Sequence, residues 1–190
     1  MKLVDVRRIL LDEGSSAPVV EAALNKYAQT CAEVTGIAPD AGFGAWADDC
    51  FLASGIAINP RAAANCVFDH RRTVVFARAV HAALERVLAA HTRDVVEVLY
   101  AGCGPWATLL LPVLGAFPPS RLRIRLLDVH QPSLDAVLRL IQHFGMKAYS
   151  IDCVRADAST YRCAPKPQLI IAETMQKALE QEPQVGVTAN

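Results

Sequence analysis

The segment Val95-Val96-Glu97-Val98-Leu99-Tyr100-Ala101-Gly102-Cys103-Gly104-Pro105-Trp106-Ala107 constrains the fold more than any other part of the chain. Its first residues are β-branched or large and apolar around a single acid, the pattern of a short buried strand. Gly102 and Gly104 follow, so the strand must give way to a sharp turn. Glycine lets the backbone turn there and approach a ligand with no Cβ in the way. The apolar run Trp106–Phe117 predicts a helix directly behind the turn. The free N–H groups and positive dipole end of such a helix would face an anionic group.

The residues that follow repeat this grammar. Arg121–Val129 is a second strand, with Leu122, Ile124 and Leu126 alternating with Arg121, Arg123 and Arg125. The arginines are read as a solvated strand entrance and not as a basic binding patch. Pro132 and Ser133 open a helix that Gly145 closes, and Lys147–Asp152 and Gln168–Ala172 make third and fourth strands. Strands and helices alternating at this spacing predict parallel βαβ units, with ligands beyond the carboxyl ends of the strands.

Before residue 93 the pattern is helical. Val19, Val20, Ala23, Leu24, Tyr27, Ala28, Cys31 and Val34 recur at spacings of three and four, with Ser16 and Pro18 at the start and Gly36 past the end. Asn59–Pro60 opens a short helix, and Arg71–Ala90 shows a stripe of Val75, Ala79, Ala82 or Ala83, and Val87. The expected fold class is therefore α/β. A helical portion over residues 1–92 precedes a Rossmann-like, doubly wound parallel sheet over residues 93–190.

Composition narrows the function classes. With Lys plus Arg and Asp plus Glu equal at 19 each, no global field draws the chain to nucleic acid or to an anionic membrane. The six cysteines show neither CxxC spacing nor a histidine cluster, so no metal site is expected. The N-terminus carries Asp5, Arg7 and Arg8 among its apolar residues and is not a signal peptide, which makes the cytoplasm the expected compartment.

The glycine turn alone leaves its ligand open. Gly102, Gly104 and Ala107 satisfy G-x-G-x-x-A, so the anionic group is either the pyrophosphate of a dinucleotide or the methionine carboxylate of S-adenosylmethionine. Asp128, ending the second strand, suits ribose hydroxyls in both cases. A tight turn without any ligand is the remaining alternative.

The segments VLYAGCGPWA, LLDVHQPSLDAV, RADAST and PQLIIAETM resemble, in order and context, the class I S-adenosylmethionine-dependent methyltransferases. The resemblance covers about residues 65–185. It implies that Ala101, Gly102 and Gly104 wrap the methionine part of the cofactor and that Asp128 with Val129 meets the ribose. It further implies that Asp157 with Ala158 reaches the adenine and that Glu173 faces the substrate. Dinucleotide enzymes do not share the Asp157-Ala158 element.

A narrower segment, Asp69-His70-Arg71-Arg72-Thr73-Val74-Val75-Phe76, is similar to one that precedes the cofactor fold in protein arginine methyltransferases. It implies that Arg72 meets the cofactor carboxylate; the alternative is a surface arginine paired with Asp69. The same family implies that Glu173 and Glu182 together hold the substrate, against a plain acidic helix end for Glu180 and Glu182. The chain departs from the families at Tyr100, where an acid is usual, at Trp106, where a third glycine is common, and at Thr174 and Met175, which follow the glutamate.

These readings make the expected function methyl transfer from S-adenosylmethionine to a nitrogen or oxygen of a small molecule or peptide. An NAD-type oxidoreductase and a non-catalytic binding module are the alternatives. His130, His143 and Cys103 are read as structural, and Phe43 and Trp46 as packing. Since sheets of this family carry further strands after the fourth, the chain is expected to be a partial catalytic domain, or one completed by a partner chain or a second copy.

Overall fold

The computed structural model describes residues 2–39, 49–175 and 184–190. Two helices come first, α1 (Leu3–Leu11) and α2 (Ala17–Thr35). Pro18 sits in the first turn of α2, where its missing N–H costs nothing, and Gly36 closes the helix in the left-handed region at φ 71°. Of the face that the spacing marks, Val20, Ala23, Leu24, Tyr27, Ala28 and Cys31 are buried, Val34 is partly buried and Val19 is exposed.

A small antiparallel hairpin follows, β1 (Cys50–Leu52) and β2 (Gly55–Ala57), which the sequence reading does not contain. Next come α3 (Pro60–Asn65), a 3-10 turn at Cys66–Phe68, and α4 (His70–Ala90). The Asn59 side chain caps α3 by accepting from the N–H groups of Arg61 and Ala62. Asp69 caps α4 by accepting from the Arg72 N–H at 3.1 Å. The buried face of α4 is Thr73, Ala77, Val80 and Leu84, so the expected stripe through Val75 and Ala79 is displaced by two residues. Val75 is exposed. The alanines fit either face, whereas Arg78 has to reach outward, where it donates to the carbonyls of Leu10 and Asp12 in and after α1.

The remaining elements are β3 (Val96–Ala101), α5 (Leu111–Leu114), β4 (Leu122–Asp128), α6 (Gln131–His143), β5 (Ser150–Arg155), β6 (Leu169–Ala172) and α7 (Gln184–Ala189). The four strands β3 to β6 form a parallel sheet in the order β5-β4-β3-β6. The chain thus winds outward from β3 through β4 to β5, then returns to the other side of β3 for β6. This is the Rossmann-like α/β architecture expected. The third strand lies three residues later than its sequence pattern indicates, and residues 156–168, which join β5 to β6, form turns where a helix would complete the alternation.

One sheet face is buried in the core. Val96, Val98, Tyr100, Leu122, Ile124, Leu126 and Ile171 share a single apolar cluster with Leu24, Tyr27, Leu84 and Leu140 from the helices. The other face is partly open. Arg123 pairs there with Glu97, Arg125 donates to the Cys163 sulfur, and Ile170 is 58% exposed. The alternating arginines of β4 are accounted for on this solvated face. No helix among the described residues is long and apolar enough to cross a membrane.

Candidate functional site

Gly102 follows β3, Asp128 ends β4, Asp157 lies just beyond β5, and Glu173 follows β6. All four occupy the carboxyl ends of parallel strands, and the winding direction reverses between β3 and β6. In open α/β sheets that switch point opens a crevice for ligands. Here it holds a cavity of about 390 Å³, lined by Arg72, Gly102, Gly104, Asp128, Val129, Asp157, Ala158 and Glu173 among others. Of the described candidates only Ala101 is outside the lining; it is buried, and its carbonyl accepts the Glu173 N–H at 3.0 Å. Glu180, Glu182, Phe43 and Trp46 lie outside the described residues.

The glycine turn is tied to the end of β4. The N–H groups of Gly102 and Cys103 donate to the Leu127 carbonyl, at 2.9 and 3.1 Å. Gly104 donates its N–H to Asp128 Oδ2 and His130 donates its N–H to Oδ1, both at 2.9 Å. Burial raises the Asp128 carboxyl above its ordinary pKa, in spite of these two donors and the neighbouring His130. Each carboxylate oxygen keeps acceptor capacity for a ligand hydroxyl.

Gly102 has φ 69°, and a Cβ added there would stand 2.7 Å from the Glu173 carbonyl oxygen and 2.9 Å from Thr174 Cγ2. The close approach of the chain's own β6 end therefore favours glycine here. Gly104 has φ 61°, but a Cβ there would meet only Ala63, at 3.6 Å.

The helix expected at Trp106–Phe117 is a correction. Only Leu111–Leu114 is helical, with Pro112 in its first turn, and the preceding residues form successive turns through Ala107 at φ 42°. The segment is buried nearly all round, so its apolar residues carry no helical stripe to follow. Four residues make no useful macrodipole, so the turn offers no helix N-terminus to an anion. Trp106, where a third glycine is common, is 1% exposed. Its carbonyl accepts from the Tyr27 hydroxyl at 3.0 Å, fastening the turn to α2.

Across the cavity, Arg72 Nη2 donates to Glu173 Oε1 at 2.9 Å, with side chains 28% and 16% exposed. The Tyr100 hydroxyl donates to Glu173 Oε2 at 2.5 Å. Burial, and then the Glu173 charge, push the Tyr100 phenol well above its ordinary pKa, so it remains a donor. The Arg72 side chain pairs with Glu173 and not with Asp69, which accepts the Arg72 backbone N–H. The Arg72 guanidinium also lies over the Phe76 ring, 5.4 Å from its centroid.

Asp157 Oδ1 accepts from the Ser159 N–H and hydroxyl, at 2.8 and 2.7 Å, which fixes the loop after β5. The Ala158 carbonyl accepts from the Asn190 amide at 2.9 Å. Val129 keeps its carbonyl on Arg155 Nε, at 3.0 Å. His130 lines the cavity with its Nε2 3.4 Å from the Ala57 carbonyl oxygen, and His143 is exposed on α6. Cys103 lines the cavity but burial raises its thiol well above the ordinary value, against a nucleophilic role.

The sequence reading missed the apolar wall that Leu52 and Ile56 of the hairpin supply, Val187 of α7, and the partnership of Tyr100. Only Tyr100 left a signal, as a departure from the family pattern. In charge, the lining carries Asp69, Asp128, Asp157 and Glu173, with Arg72 the single lysine or arginine among the described residues.

No protein-family model and no curated protein sequence matches the chain. Among solved structures it is similar to the crystal structure of coclaurine N-methyltransferase bound to N-methylheliamine and SAH. The TM-score is 0.40 and the identity 12%, over 90% of this chain and 48% of that chain.

Proposed function

We propose that the cavity at the β3/β6 switch point binds S-adenosylmethionine and that the chain serves methyl transfer to a nitrogen or oxygen nucleophile of a small molecule or peptide. The observation that carries this reading is the charge of the lining among the described residues: four carboxylates against one arginine, which is itself paired. S-Adenosylmethionine carries a sulfonium, an ammonium and one carboxylate, and that inventory suits one guanidinium among several carboxylates. A pyrophosphate would bring two negative charges to the same walls. Two unit charges about 6 Å apart interact by ~3 kcal/mol at an effective dielectric of about 20. The turn has no long helix behind it to offset that repulsion, which weighs against the dinucleotide reading.

The residues divide the work by chemistry. Arg72 supplies N–H donors to a ligand carboxylate, and Asp128 accepts from ribose hydroxyls. Asp157, on a loop fixed by Ser159, stands at the adenine end. When bound, the cofactor supplies a methyl group on a positively charged sulfur. Glu173 orients the nucleophile and accepts the proton it gives up. Glu182 is proposed as its helper. A second chain completing the site, and a cytoplasmic setting, belong to the same proposal.

The test is incubation with methyl-labelled S-adenosylmethionine and a panel of amines, phenols and peptides. Label is expected on at least one acceptor, and its transfer is expected to vanish in Glu173→Ala. Cofactor binding with no transfer to any class would replace the enzyme by a non-catalytic binding module.

A further inference from the structure

Tyr100 is fully buried in the sheet core and contributes nothing to the cavity wall, yet its hydroxyl meets Glu173 at the cavity's edge. Glu173 is held at three points: Ala101 accepts its N–H, Arg72 donates to Oε1, and Tyr100 donates to Oε2. Two of these holds are permanent parts of the sheet. The third is the only lysine or arginine lining the cavity among the described residues, the group a ligand carboxylate would approach.

A ligand carboxylate and Glu173 therefore compete for one guanidinium. We propose that Tyr100 is a positioning residue that settles this competition: it holds the Glu173 carboxylate in place, so that Arg72 can turn N–H donors to a carboxylate-bearing ligand without setting Glu173 loose. The proposal rests on the cofactor reading above, from which it takes a ligand with an amino-acid tail. Without the phenol, the Glu173 carboxylate keeps Arg72 as its remaining donor among the described residues and draws it away from the ligand. The register makes Tyr100 suited to this: it pairs with Ile171 across β3 and β6, two residues before Glu173. A hydroxyl at the end of a long, rigid ring spans that gap, whereas an acid at the same position would repel Glu173.

The experiment compares two probes, S-adenosylhomocysteine and 5′-methylthioadenosine, which share the adenosine and sulfur but differ in the amino-acid tail. The ratio of their affinities isolates the carboxylate's share. Tyr100→Phe keeps the ring and removes the donor. It is expected to lower the preference for S-adenosylhomocysteine by about fivefold, leaving 5′-methylthioadenosine within about twofold, as removal of one charge-assisted hydrogen bond predicts. Glu173→Gln, which removes the competing charge, is expected to move the ratio in the opposite direction.

A merely structural role for Tyr100 would weaken both probes alike. An unchanged ratio in Tyr100→Phe, or a ratio that falls in Glu173→Gln, overturns the proposal. If wild-type protein binds 5′-methylthioadenosine and S-adenosylhomocysteine equally, the competition for Arg72 fails while the cofactor reading survives. If wild-type protein binds neither probe, the cofactor reading fails, and this inference with it.

Discussion

Gly102→Ala is expected to cost about 3 kcal/mol of stability, two contributions adding at one atom. The first is conformational: at φ 69° an L side chain crowds its own carbonyl, for ~1–2 kcal/mol. The second is contact with fixed backbone, since the new Cβ would sit 2.7 Å from the Glu173 carbonyl oxygen. That oxygen belongs to the residue whose N–H is bonded to Ala101, so relief requires β6 to part from β3. For a chain of this length 3 kcal/mol corresponds to a fall of about 6–12 °C in Tm, read by thermal denaturation. Gly104→Ala is the control. It carries the same kind of φ, 61°, but an open Cβ position, and should cost only ~1–2 kcal/mol. Equal losses at the two glycines would show that the approach of Glu173 to the turn contributes nothing.

Arg72→Ala is expected to reduce affinity for S-adenosylhomocysteine about 100-fold, equivalent to ~2.7 kcal/mol. Among the described residues the substitution removes the only lysine or arginine in the lining and leaves Glu173 with the Tyr100 hydroxyl as its side-chain donor. A ligand carboxylate would then meet four acids and no lysine or arginine among the described lining residues. Arg72→Lys keeps the charge but loses the planar fork that serves two carboxylates at once, and should fall between, near tenfold. Both variants are expected to keep the α4 cap, which uses the backbone N–H of this residue and not its side chain. A loss below about threefold in Arg72→Ala, measured by titration calorimetry, would remove Arg72 from the site.

Much of the site was legible because strand ends announce themselves. The run into Gly102, the alternation ending at Asp128 and the apolar strand ending at Glu173 each mark a carboxyl end, and a parallel sheet brings carboxyl ends together. What stayed hidden depended on long-range packing. Trp106–Leu114 is apolar on every side, and a buried chain of turns has the same composition as a buried helix. The left-handed Ala107, at φ 42°, carries no sequence mark at all. The stripe on α4 was misplaced because alanines fit either face, and the true face was decided by Thr73 and Leu84 finding the core. The hairpin Cys50–Ala57 is too short for period-two alternation to register. Tyr100 was visible as an exception to a pattern, but its partner lies 73 residues away, and only the β3–β6 pairing unites them.

We propose that the switch-point cavity takes S-adenosylmethionine and not a dinucleotide. Its most direct test is a calorimetric titration of the wild-type protein with S-adenosylhomocysteine and, separately, with NAD. Saturable binding of S-adenosylhomocysteine is expected, at least about tenfold tighter than NAD, since one misplaced charge at the acidic wall costs more than the ~1.4 kcal/mol of a decade. No heat from S-adenosylhomocysteine at millimolar concentration, or tighter binding of NAD, would contradict it.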